Sequence, residues 1–122
     1  MSFLDFLFGN GKVKDGREET IDTSNINLDG DFFLTVEDVF SIYGRGTVVT
    51  GKVERGSISV SDGVKIKDSM TGEIKISIVD GIEKFREKIN TASTGDSVGI
   101  LLRGINRGEI SKGDILFLGE IE

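Results

Sequence analysis

Apolar positions recur at every second residue through much of this chain. Ile58 and Val60 alternate with Ser57, Ser59 and Ser61, and Val64 and Ile66 alternate with Lys65 and Lys67. Ile74, Ile76 and Ile78 alternate with Glu73, Lys75 and Ser77. A period of two is that of a half-buried strand, so each stretch predicts a strand with its Ile/Val face inward. Breaks fall between them at Asp62-Gly63, Met70-Thr71-Gly72 and Thr94-Gly95-Asp96, which are turn-forming combinations. Val98 to Leu102 is a continuous apolar run suited to a strand covered on both faces. Gly104 to Gly108 is a connection, and Ile115 to Leu118 a closing strand.

The pattern is sharpest between Asp38 and Gly56. Val39, Phe40 and Ile42 make one strand and Thr47 to Thr50 resume another, with Gly44-Arg45-Gly46 as the turn and Arg45 expected as the only side chain at its tip. Phe32 and Phe33 open the ordered part, Leu34, Val36, Val39 and Ile42 supply its buried positions, and an irregularity is expected at Glu37-Asp38. From Asp80 to Asn90 the pattern is ambiguous. Ile82, Phe85 and Ile89 fit a helix, while the preceding alternation runs on through Glu83. Short strands at this spacing indicate an all-β barrel or sandwich, and closure removes exposed sheet edges.

Residues 1–9 differ, packing Phe3, Leu4, Phe6, Leu7 and Phe8 into one stretch that would nearly encircle a helix. Such a short helix is marginal alone, so this tip is expected to dock on its own barrel or on a second copy, with an anchor for a partner or membrane surface as the alternative. From Gly9 to Gly30 few residues repay the entropy of ordering, which reads as a tether. Residues 1–30 thus form an arm and 31–122 a barrel domain.

Composition narrows the chemistry. The 122 residues suit one domain, and neither cysteine nor histidine occurs. Disulfides, thiolate nucleophiles, the usual zinc sites and histidine acid-base chemistry are excluded. A net charge of −6 opposes strong nonspecific attraction to nucleic acid or anionic membrane. The apolar start lacks a basic leader and no run reaches membrane-spanning length, so a cytoplasmic address is expected, with no membrane span. Gly11-Lys12 is not a phosphate loop, because Phe6 stands at the leading glycine position and Val13 replaces the magnesium-holding hydroxyl. Asn25 to Gly30 resembles half a calcium loop, but the twelfth position is Val36 where a bidentate Glu is needed. No cofactor and no metal are expected.

Glu37-Asp38-Val39-Phe40 leading into Gly44-Arg45-Gly46-Thr47-Val48-Val49-Thr50-Gly51 and then Val53-Glu54-Arg55-Gly56 resembles the opening hairpin of the second domain of elongation factor Tu, the β-barrel shared by translation GTPases. Gly81 to Arg86 and Gly99 to Ile105 resemble two further signature stretches of that domain, in the same order. The resemblance covers Phe32 to Gly119. It implies a closed antiparallel Greek-key-type β-barrel of about six strands, with residues 80–90 as a strand end followed by an irregular turn.

It also implies a site. In elongation factor Tu this module helps to hold the 3′-terminal adenosine of aminoacyl-tRNA between apolar walls and a Glu/Arg pair. The matching positions are Ile42, Val48 and Leu101 for the walls and Glu83 and Arg86 for the polar contacts. A purine face suits aliphatic walls, a carboxylate reads a donor edge or ribose hydroxyl, and an arginine meets phosphate. Arg45 and Arg103, on turns, are possible surface contacts. Two departures weigh against full carry-over: no GTPase motif accompanies the barrel, and Ser97 stands where tRNA-binding relatives usually have Asn. The expectation is a non-enzymatic binding module that meets a protein or ribosomal partner through the barrel surface and the N-terminal arm, with weak binding of an RNA 3′ end or nucleotide in the Glu83/Arg86 pocket as the alternative. The Phe-rich tip offers self-association.

Overall fold

Leu34, Val53, Ile66, Val79, Ile100 and Leu116 are drawn from six separate strands and lie buried in one core. The computed structural model that shows this describes residues 32–118. The Phe-rich tip, the tether, Gly11-Lys12 and the Asn25 to Gly30 stretch lie outside the described residues.

The strands are β1 (Phe33–Thr35), β2 (Asp38–Ile42), β3 (Gly46–Arg55), β4 (Ser57–Ser59) and β5 (Gly63–Lys67), then β6 (Ile74–Lys84), β7 (Glu87–Ile89), β8 (Thr91–Ser93), β9 (Ser97–Arg103) and β10 (Ile115–Phe117). A 3₁₀ turn at Arg107–Glu109 is the only helical element among the described residues. Strand order runs β1-β10-β5-β6-β9-β3, and β3 returns to β1 through Leu34 opposite Val53. Six antiparallel strands therefore close into a barrel, and closure removes the sheet edges within the ring. β4 and β8 form a separate ribbon whose Ile58 and Ala92 join the core.

β2 continues the line of β1 along β3, pairing Asp38 with Thr50 through Ile42 with Gly46. Between them the chain kinks. Val36 N–H turns to the carbonyl of Asp114 at 2.8 Å, while Glu37 N–H meets the carbonyl of Thr50 at 2.8 Å, so Glu37 and Asp38 together face one residue of β3. This is a bulge at the expected irregularity. Just beyond it, Gly51 lets the kinked strand cross close by. A Cβ there would lie 2.5 Å from the Thr35 carbonyl oxygen and 2.8 Å from Leu34 Cδ2.

Three expectations are corrected. Ile74, Ile76 and Ile78 do not face the core. β6 pairs with β5 so that Ser77 lies opposite Val64 and Lys75 opposite Ile66, the two core residues of β5, which turns the isoleucines outward. Ile74 is 42% and Ile76 71% exposed, whereas Ser77 is buried. The ambiguous segment holds no helix; it is a strand end followed by a turn, but the turn is a tight two-residue one and not irregular. β6 runs on to Lys84, Phe85 and Arg86 alone make the turn at φ 55° and 66°, and β7 returns with Ile89 opposite Ile82. Finally, Arg45 shares the tip of the β2–β3 hairpin with Tyr43, which is fully exposed.

Candidate nucleic-acid interface

Strand alternation fixes what the outside of the barrel displays. Across β2, β3, β9 and β6, Phe40, Val48, Leu101 and Gly81 stand opposite one another in one row. The next row holds Asp38, Thr50, Gly99 and Glu83, with Lys88 of β7 beyond. Val49, Ile100 and Leu102, on the other phase, point into the core.

Val48 and Leu101 pack together with Ile42 in a cluster separate from that core. The three apolar wall positions are thus brought into contact on the outer face. Glu83 lies on the same face one row along, with Gly81 two residues away and Gly99 directly opposite, so no side chain from either glycine crowds it. Val48 and Glu83 are 0% exposed and Leu101 5%. Arg86 is exposed in the β6–β7 turn, three residues from Glu83, and both residues are engaged in interactions within the chain. The hairpin carrying them is braced by Lys84 Nζ, which donates to Asp96 Oδ1 at 2.7 Å.

Of the two arginines expected on turns, only Arg45 lies in one; Arg103 is the last residue of β9, opposite Ile78. Arg103 donates to Asp80 Oδ1 from both Nε (2.9 Å) and Nη2 (2.6 Å), a pair that raises its pKa further above its ordinary value. Asp80 is placed for this by a bulge, since Val79 and Gly81 face consecutive residues of β9 and leave it extra. Arg45 is exposed, and its backbone N–H closes the hairpin onto the Ile42 carbonyl at 2.8 Å. Among the described residues no cluster of acidic side chains is placed to hold a metal ion. No helix among them is long and apolar enough to cross a membrane.

A family model for elongation factor Tu domain 2 matches residues 46–117. The chain belongs to the elongation factor Tu domain 2 family. The matched stretch runs from β3 to β10 and contains Val48, Glu83, Arg86 and Leu101; Ile42, with β1 and β2, precedes it. The translation-factor barrel is therefore the module this chain carries.

Two outer features escaped the sequence reading. One is the isoleucine stripe of β6. The other is a cleft of about 350 Å³ between β2 and the 107–112 segment, lined by Asp38, Phe40, Arg107, Ile110 and Lys112. Arg107 Nε donates to the Val39 carbonyl at 3.2 Å and Lys112 lies 3.4 Å from Asp38. The spacing of Asn106 and Glu109, whose carboxylate accepts the Asn106 N–H at 2.9 Å, was the available signal for the local turn.

Proposed function

We propose that the chain is a non-catalytic binding module of translation-factor type that docks on a protein or ribosomal partner through the outer wall of its barrel. The observation that carries this reading is the exposure of Ile74 and Ile76 on a wall strand of a closed barrel. Apolar side chains grouped on an outer face, where they add nothing to the core, mark a surface that gains free energy when covered. Charge does not oppose it. Residues 32–118 hold 12 Lys/Arg and 12 Asp/Glu, so the −6 of the whole chain resides in the flanking residues. Cosedimentation with ribosomal particles tests the reading: the parent chain is expected to travel with them and Ile76→Asp to remain at the top of the gradient. Equal behaviour of the two chains overturns it.

A second reading is binding of an RNA 3′ end. It is favoured by the grouping of Ile42, Val48 and Leu101 in a cluster separate from the main core, on the same face as Glu83. A 3′-adenosine-ended RNA fragment is expected to shift the amide signals of these residues and of Arg86 together, with affinity about 10⁻⁴ M or weaker, in the nonspecific range. Arg86→Ala abolishes the response. Shifts scattered over the surface and equal for all RNA ends would exclude this pocket.

A further inference from the structure

We propose that the Phe-rich tip of this same chain, Phe3 to Phe8, seats on the outer wall of β5 and β6 over Ile74 and Ile76, and so competes for the surface that a partner would cover. The competition rests on the docking reading above; the contact itself does not.

The barrel wall supplies the first argument. Phe33 stands opposite Phe117, Phe117 opposite Lys65, and Lys65 opposite Ile76, so one row leads from the start of β1 to the centre of the isoleucine stripe. The side chains along it are apolar or cationic, with Phe117 itself buried. Arg55 lies 5.4 Å from the Phe33 ring centroid and Lys65 Nζ 5.8 Å from that of Phe117. Three inter-strand steps make the path about 14 Å. A flexible chain as long as the 23 residues from Gly9 to Asp31 would span about 26 Å. The tip therefore reaches the stripe without stretching. Tethering at that length gives an effective concentration on the order of 1 mM, which favours the chain's own tip over that of a second copy at micromolar concentration.

Size and charge supply the second. Ile74 to Ile78 extends about 13 Å along β6, and six residues would span about 9 Å were they helical. Residues 1–31 carry 7 Asp/Glu against 3 Lys/Arg, including Asp5 within the tip, while β5 turns Lys65 and Lys67 outward beside the stripe. An acidic, apolar segment thus faces an apolar strip edged with lysine.

The absence of cysteine makes the test direct, since Ser2→Cys in the full chain accepts a single nitroxide label. Amide signals of Ile74, Ile76, Lys65 and Lys67 are expected to lose more than half their intensity. Ile76→Asp, and separately Phe6→Asp, should restore it. Labelled chain mixed with isotope-enriched, unlabelled chain should leave the enriched signals unchanged. Broadening centred on Val48 and Leu101, broadening only in the mixed sample, or none anywhere overturns the proposal. Because no partner is present, loss of ribosome binding and loss of tip docking remain separate results.

Discussion

Ser77 Oγ donates a 2.7 Å hydrogen bond to the carbonyl of Arg103. That bond lets a serine occupy an inward position of β6 while its isoleucine neighbours face water. Ser77→Ala removes the donor and is expected to cost about 1–3 kcal/mol, read from the urea midpoint. Ile76→Asp, at an exposed position next to it, should stay within about 0.5 kcal/mol of the parent.

Gly51→Ala should be among the most damaging single-carbon additions, because the new Cβ would meet the Thr35 backbone oxygen at 2.5 Å and Leu34 is fully buried. Overpacking of this kind costs about 1–3 kcal/mol. Gly108→Ala, with open space around it, serves as the neutral control. Urea titrations of the two variants check the contrast.

Phe85 and Arg86 hold left-handed backbone conformations that cost roughly 1–2 kcal/mol per residue for side chains other than glycine. Replacing them with Asn and Gly, which this two-residue turn prefers, should raise the melting temperature. The same change deletes Arg86 and, on the second functional reading, the RNA response with it. Calorimetry paired with the RNA titration tests both halves.

Asp68 Oδ1 accepts the N–H groups of Met70 and Thr71 at 2.8 and 2.9 Å, and these bonds hold its carboxyl below the ordinary value of 3.8. A depressed folded-state pKa stabilises fully above the unfolded value and is lost as pH falls through the folded one. Asp68→Ala should therefore melt below the parent at pH ~7, and the gap should close at acid pH below about 4. Melting curves across that range decide it.

Removing residues 1–28 should leave a cooperative urea transition. The described backbone pairings of the barrel all fall between Phe32 and Leu118. A truncated chain that melts without cooperativity would assign the arm to the core.

The β2–β3 hairpin, the bulge at Glu37-Asp38 and the run through Leu102 were legible because glycines, β-branched residues and unbroken apolar stretches act locally. β6 was legible as a strand but inverted in phase. Hydropathy puts Ile76 inside and Ser77 outside, and only pairing with Val64 and Ile66 of β5 decides otherwise. The Phe85-Arg86 turn was hidden because neither residue advertises positive φ. For the candidate site, periodicity alone would assign Val48 and Leu101 to the core, and both are buried, in a small cluster separate from the main one; only the family resemblance singled them out. The cleft at Arg107 depends on a contact to Val39 across 68 residues, beyond any local pattern.

Leu118 N–H donates to the carbonyl of Phe32 at 3.1 Å, so the chain enters and leaves the barrel at one point. A fold whose ends meet can be spliced between two neighbouring residues of a host protein without pulling the host apart. Its natural ends can equally be joined and new ones cut, for instance at Gly72, which is exposed between β5 and β6. Joined ends of this kind make the barrel suited to act as a transplantable cassette.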